Sequence, residues 1–226
     1  TGPPTAAGRW SLLPTPDSDA TVRAHANAEL LLDRYGVVTR GSVVAERVPG
    51  GFAGVYKVLS VFEESGRCRR GYFVDSLGAA QFGTTGAVDR LRTFAADRSE
   101  SADHEAVALA ATDPANPYGA ALDWPRRSDD DAPGHRPGRK AGAVVVLIDG
   151  RLVLYVERGG RTVLTFDTDG PTTLAVDALA AAVKRGALGT LTIQRVDGER
   201  PLSSALATPL QAAGFHATPR GLRLRG

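Results

Sequence analysis

The chain has 226 residues, and 27 lysines and arginines stand against 25 aspartates and glutamates, so the net charge of +2 argues for no partner by itself and only the distribution of charge can do so. The length allows one large domain or two small ones, and no apolar run approaches the roughly eighteen residues of a membrane span. A single cysteine, Cys68, excludes an internal disulfide, and nothing around it suggests a metal site. The amino terminus carries no secretory pattern, so the expected compartment is the cytoplasm. The absence of methionine reads as loss of an initiator or as a piece cut from a longer protein.

Residues 1–20 are rich in Pro, Gly, Ala and Ser and read as a linker or arm. Trp10, Leu12 and Leu13 are its exceptions, suited to docking on a neighbouring domain. A helix is expected from Thr21 to Tyr35, capped by Asp19 or Thr21 and stopped by Gly36. Val37-Val38 is a short apolar step. Thr39 can cap a second short helix reaching Val48, with Val43 and Val44 inward and Arg40 and Arg47 outward. Pro49-Gly50-Gly51 breaks the chain. Val55, Val58, Leu59 and Phe62 then recur at helical spacing on one face, and Gly66 supplies a left-handed end. A basic strand follows from Arg67 through Val74, Asp75 to Gly78 can turn, and Ala79 to Phe82 can pair as the return. Thr84 or Thr85 caps a closing helix with Val88, Leu91 and Phe94 on one face. Three helices, a two-stranded wing and a closing helix over residues 21–96 make a winged-helix domain, a fold whose nucleic-acid-binding relatives place a helix near a groove and the wing along the phosphates.

Residues 97–140 read as a connector, polar and then helical up to Ala111. They continue into ATDPANPYGAALDWP, where three prolines preclude a long helix or a central strand. Tyr118, Leu122 and Trp124 are expected to pin that segment onto a core. Arg126 to Lys140 is a charged loop, acid first and base after. Residues 141–226 form a second, strand-rich domain. The run from Ala143 to Ile148 meets Asp149-Gly150, a two-residue hairpin signal, and Leu152 to Glu157 returns. Arg158 to Arg161 is a turn, Thr162 to Phe166 a strand, 173–185 an alanine-rich helix and Thr190 to Val196 a strand. Ser204 can cap a last helix that Pro209 should bend or split, and residues 215–225 close the chain with a Pro-Arg-Gly turn. The fold class expected is α+β: a winged helix followed by a barrel-like α+β domain.

Two groups of cations stand out. Arg67, Arg69 and Arg70 on the wing, with Lys57 on the preceding helix, either touch phosphates or lie on a solvated hairpin face. The helix itself offers little to base edges, with Ala53 and Gly54 on it and Glu63 and Glu64 at its end, so a packing role for it is equally open. His135, Arg136, Arg139 and Lys140 form the densest basic cluster, with Arg158 and Arg161 on a turn that can lie near them. They form either a backbone-binding loop or a run neutralised locally by Asp129, Asp130 and Asp131. Tyr72, Phe73 and Phe82 near the wing either stack on unpaired bases or fill the core beneath it. Carboxylates able to activate water are Asp123, Asp149, Asp167, Asp197 and Glu199. None sits in a defined motif, Asp149 and Asp197 precede glycines as turn formers do, and Gln81 reads as a wing residue more simply than as a water-positioning one.

The phrases LLDRYGVVTRG, VPGGFAGVYKVLSVFEESGRCRRGYFV, LGAAQF, ANPYGAALDWP, GHRPGRKAGAVVVLIDGRLVLYVERGG and GFHATPRGLRLR resemble the extreme carboxy-terminal region of bacterial long-form large helicase-related (Lhr) proteins, from Arg9 onward. The resemblance implies a fragment of a superfamily 2 ATP-dependent DNA helicase, comprising a winged helix and a terminal barrel-like module related in fold to a family of DNA glycosylases. The motor, with its ATP and Mg²⁺, is then expected outside this chain, because no G-x-x-x-x-G-K-[ST] loop is present. The implied role is a non-motor nucleic-acid-binding or assembly module in DNA repair. Its partners would be DNA, single-stranded or forked, the rest of the parent helicase, a second copy of itself, and no membrane. Two alternatives stay open: part of a uracil-type glycosylase module, and a purely structural oligomerisation domain.

Overall fold

A computed structural model describes residues 8, 10–97, 104–127, 136–166 and 172–226. The chain divides into two compact units, 1–90 and 91–226.

In the first unit α1 spans Ala20–Tyr35. Asp19 caps it by accepting from the Thr21 N–H at 2.7 Å, a bond that also lowers the Asp19 carboxyl below its ordinary range. Gly36 ends the helix and β1, Val37–Val38, follows. Thr39 and Ser42 form a reciprocal capping box for α2, Arg40–Ala45. α3 runs Gly51–Glu64, and the Arg67 N–H closes its end on the Phe62 carbonyl at 2.8 Å. Ala28, Leu31, Leu32, Val38, Val43, Val55, Leu59, Phe62 and Phe82 make one core. Cys68 fills a gap in it, and burial pushes its thiol up, as for a packing residue rather than a reactive one. Val43 is buried as expected, but Val44 is 64% exposed. Successive residues on a helix are about 100° apart, and only one of the pair can face α3. The expected wing strands are shorter than the sequence suggests. β2 is Arg69–Gly71 and β3 is Gln81–Gly83, in the sheet order β1-β3-β2.

Gln81 explains the shortening. Its fully buried amide accepts from the Phe73 and Val74 N–H groups at 3.1 and 2.8 Å and donates to the Val74 and Gly78 carbonyls at 2.8 and 2.7 Å. Backbone groups that a longer ladder would have paired are paired with this side chain instead. α4, Thr85–Asp97, then leaves the sheet, with Val88 buried while Leu91 and Phe94 stay 39% and 53% exposed.

The second unit holds two open sheets. One has the order β4-β5-β6-β7-β9 and the other β10-β11-β8. Neither closes, so the barrel expected from the strand count is corrected to a pair of open sheets with helices. β5, Val144–Ile148, and β6, Arg151–Val156, pair through Asp149-Gly150, whose φ values of 49° and 80° are those of a type I′ hairpin. β4, Ala106–Ala110, pairs along the whole of β5. The helix expected before Ala111 is therefore an edge strand. Alanine's helical propensity yields to five residues of ladder and to Ala106 and Ala108 packing on the core. β7 is Thr162–Thr165 and α5 is Thr172–Lys184. The expected single strand at 190–196 splits: β8, Leu191–Ile193, joins β11, and β9, Arg195–Val196, runs parallel to β7. α6, Ala207–Ala212, contains Pro209 in its first turn, where no intrahelical N–H bond is lost, so the helix is not split. Ser204 precedes it without capping it. β10, His216–Thr218, and β11, Gly221–Leu224, form the closing hairpin.

β5 and β6 are buried on both faces. α5, α6 and the small sheet cover one side, around Val146, Leu154, Leu179 and Leu222. The proline-rich segment covers the other, around Val145, Leu152 and Tyr155, with Tyr118 and Trp124 packed there as expected. Trp124 stacks on Tyr118 at 6.3 Å and meets Tyr155 edge-on at 5.7 Å. Gly119, at φ 72°, lets the ring lie so close that a Cβ there would fall 2.5 Å from Trp124 Nε1.

Two outcomes follow from the first unit. Gln81→Leu leaves buried polar backbone groups unpaired, each costing about 1–3 kcal/mol. Hydrogen exchange at Phe73 and Val74 should accelerate at least tenfold while the helices of the second unit stay protected. Glu46 accepts from Tyr35 Oη at 2.7 Å and from Arg34 at 2.6 Å, and these bonds, the first before the second, hold its carboxyl below the ordinary 4.5. A depressed carboxyl contributes stability above its unfolded value and loses it as the pH falls through the folded one. Acid unfolding of the first unit should therefore steepen below about pH 4.5, and Glu46→Gln should flatten that limb in a circular-dichroism titration.

Candidate nucleic-acid interface

The winged unit spends most of its cations on itself. Arg67 pairs with Glu29 of α1, lies 2.9 Å from His25 Nε2 and stands over the Phe62 ring at 4.2 Å. The bond from Arg67, before any other contribution, lowers the Glu29 carboxyl. Arg67 thus straps α1 to α3. Arg70 donates to Tyr56 Oη at 2.6 Å and sits 3.3 Å from Glu63, which ties the wing to α3. Arg69 is exposed on β2 and has no side-chain partner among the described residues, and the same holds for Lys57 on the outer face of α3. Phe82 is fully buried and Phe73 is half-buried, whereas Tyr72 is exposed, its hydroxyl 3.4 Å from Asp75. Arg40, expected on the outer side of α2, lies over the Phe52 ring at 5.2 Å.

The second unit sorts its cations more sharply. Arg139 donates to four main-chain carbonyls: Asn116 at 2.7 Å, Asp113 at 2.9 Å, Thr112 at 3.2 Å and Tyr118 at 3.3 Å. Buried Asn116 completes the cage, donating to the Ala111 carbonyl at 2.9 Å and accepting from the Tyr118 N–H at 3.1 Å. The guanidinium holds the irregular cover in shape. Arg136 is exposed, and His135 lies outside the described residues, as do Asp129, Asp130 and Asp131.

Lys140, Arg158 and Arg161 come together around an open cleft of about 640 Å³, walled also by Tyr155, Glu157 and the small residues Ala141, Ala143 and Gly159. Three cations face one carboxylate, which is 3.8 Å from Lys140. Arg158 and Arg161 have no side-chain partner among the described residues. The turn between β6 and β7 places these two, and the stem of Arg158 rests on Gly142. Tyr155 closes the floor. Burial pushes its phenol up, and its hydroxyl donates to the Gly138 carbonyl at 3.2 Å. Tyr155 and Glu157 escaped notice in the sequence because they read as an apolar return strand. Their only signal in the sequence is their place four and two residues before Gly159, at the end of the strand that leads into the basic turn.

The candidate carboxylates are mostly engaged. Asp149 pairs with His104 at 2.7 Å and accepts from the Glu105 N–H at 3.0 Å. Asp197 accepts from the Thr165 N–H and hydroxyl at 2.9 and 2.7 Å and pairs with Arg127. Both have positive φ, 49° and 50°, as turn formers do. Asp123 and Glu199 are exposed, and Asp167 lies outside the described residues. Gln81 has no hydrogen-bonding capacity left to hold a water. Neither glycine pair fits a nucleotide-phosphate loop: Gly50-Gly51 follows α2 rather than a strand, and Gly159-Gly160 leads into β7 rather than a helix.

Exchanging the two neighbouring wing arginines separates strap from surface. Arg67→Ala should lower the midpoint of urea unfolding of the first unit, because α1 loses its tie to α3, while Arg69→Glu should leave that midpoint unchanged.

Comparison with known proteins places these features among relatives. The family description "Large helicase-related protein, winged-helix domain" matches residues 17–103. The chain is 53% identical over 231 residues to a protein of Mycolicibacterium smegmatis named "Lhr helicase/ probable uracil glycosylase", covering 98% of this chain and 15% of that protein. It is 39% identical over 222 residues to the "Lhr helicase/uracil glycosylase" of Escherichia coli K12, covering 97% of this chain and 14% of that protein. The chain thus spans only a small, carboxy-terminal part of the curated relatives it matches.

Proposed function

The chain belongs to the large helicase-related (Lhr) family, and from that premise we propose that it is a non-motor module that holds the phosphate backbone of DNA, single-stranded or forked, for a helicase motor elsewhere in its parent. The observation that carries this reading is the cleft of Lys140, Arg158 and Arg161. Its cations are unevenly matched by acid, and its walls offer small side chains rather than an aromatic platform across its mouth. Such a site recognises charge and shape and is indifferent to sequence. Lys57 and Arg69 are the corresponding contacts of the winged unit. The scarcity of cations on α3 argues for grip along a backbone over reading of a groove.

The module as proposed uses no nucleotide of its own, acts in the cytoplasm and serves DNA repair. The last point rests on the names of the relatives. Those names also favour a second reading, base excision within the same extension. Among the candidate acids with described positions, Asp123 and Glu199 are the two left exposed to take part in it.

The test is fluorescence anisotropy with labelled single-stranded, forked and duplex DNA at low and physiological salt. The wild-type chain should bind, and affinity should fall steeply with salt. The variant Lys140→Glu/Arg158→Glu/Arg161→Glu should bind at least tenfold more weakly without a change in thermal midpoint, since all three side chains are exposed. Absence of wild-type binding at low salt overturns the reading and turns attention to mass in solution and self-assembly. A uracil-containing strand in the same assay tests for excision.

A further inference from the structure

The outer face of the three-stranded sheet carries a second cationic cleft. Along β8 and β11 the inward residues are Leu191, Ile193, Leu222 and Leu224. Alternation leaves Thr192 and Arg223 on the other side. Arg223 is paired in register with Thr192 on one neighbour and with His216 on the other. The hairpin turn between β10 and β11 places Arg220 at the end of the same face. Thr192, Gln194, Thr218, Pro219, Arg220 and Arg223 surround an open cleft of about 500 Å³. Among the described residues, two guanidinium groups and no carboxylate line it. Arg223 Nε is buried without a hydrogen-bond partner among the described residues. A cation partly withdrawn from water and left unpaired favours an anion beside it.

The two clefts have no lining residue in common, but the turn beside one is packed on a strand of the other. Gly160, at φ 81°, lies so close to β8 that a Cβ there would fall 3.0 Å from the Thr192 nitrogen. The Gln194 and Arg195 N–H groups both donate to the Arg161 carbonyl at 3.0 Å. The turn that presents Arg158 and Arg161 to the first cleft is therefore seated on the strand that lines the second.

We propose that the two clefts form one track for the phosphodiester backbone of a single nucleic-acid strand, with Arg220 and Arg223 as the contacts of its second half. The inference rests on the reading of the first cleft as a phosphate site and extends it across the 158–161 turn. Two hydroxyls and one amide line the cleft with the arginines, so the second half grips phosphates and leaves the bases unread.

The experiment uses the full chain with oligothymidylates and oligoadenylates of about 5 and about 16 nucleotides, within the range a single-strand-binding surface covers. Arg220→Glu, at an exposed turn, and Arg223→Gln, which keeps a hydrogen-bonding side chain of similar reach, are measured singly and together. The pair should weaken binding of the long oligomers at least fivefold and bring their affinity towards that of the short ones. It should also reduce the slope of log K against log salt by about 1.4, two phosphate contacts at about 0.7 each. Thymidylate and adenylate should respond alike. Should Arg223→Gln disturb the sheet, Arg220→Glu alone still decides, with a slope change of about 0.7. If the wild type binds and the first-cleft variant loses binding while Arg220→Glu changes neither affinity nor slope, the continuous track is wrong and the first cleft stands. That outcome would assign the second face to an acidic protein surface instead. If the wild type binds no oligonucleotide, both readings fall.

Discussion

A backbone N–H or carbonyl withdrawn from water must find a partner, and where this chain has no ladder or helix to supply one it uses a side chain. At the wing tip the partner is Gln81, whose amide stands in for a strand that residues 73–78 do not form. In the second unit the requirement is larger. The β5–β6 hairpin is buried on both faces, so it needs two covers. One is helical and satisfies itself. The other is the proline-rich 111–124 segment, which cannot form a helix or a central strand and leaves a row of carbonyls pointing inward on its own turn. Asn116 and Arg139 collect them. A guanidinium presents five donors in a fixed fork and suits this task better than an ammonium would.

That allocation decides which charges remain for anything else. Arg67, Arg70, Arg127 and Arg139 are consumed in straps and cages. Lys140 follows Arg139 directly, yet in this tightly turned stretch its side chain reaches the rim of a cleft that Arg139 does not line. A net charge of +2 therefore conceals a strong sorting. Of the cations left over, Arg158 and Arg161 lie on the 158–161 turn, Arg220 and Arg223 on the sheet beside it, and Lys57 and Arg69 on the winged unit.

The sequence made the units legible and left the roles of single charges obscure. Helical spacing, caps and Asp149-Gly150 located α1, α2, α3, α5 and the central hairpin because each signal is local. The proline content of 111–125 and its aromatic residues revealed a cover pinned on a core, since large rings in irregular chain need somewhere to pack. What failed was non-local. An alanine-rich run became β4 because β5 needed an edge partner. One apparent strand became β8 and β9 because two different sheets compete for its backbone. Closure of a barrel depends on how sheets pair at their edges, which strand count does not determine. Arg67 and Arg69 are indistinguishable by composition, yet Glu29, thirty-eight residues away, removes one from the surface and leaves the other.

The same reasoning bears on how the proposed track would work. Ion pairs such as Arg67–Glu29 are already satisfied, so an incoming phosphate would have to displace a carboxylate and gain little. Among the described residues no ion pair holds Arg158, Arg161, Arg220 or Arg223, and the counterion-release term is open to them. A surface built this way binds through a few well-placed cations, loses its grip as salt rises, and releases as readily as it holds. Those are the properties a strand guide needs beside a translocating motor, where tight static binding would stall the strand. Under that proposal the near balance of total charge would serve the same end, leaving little net field elsewhere to compete with the 158–161 turn and the sheet beside it for a strand.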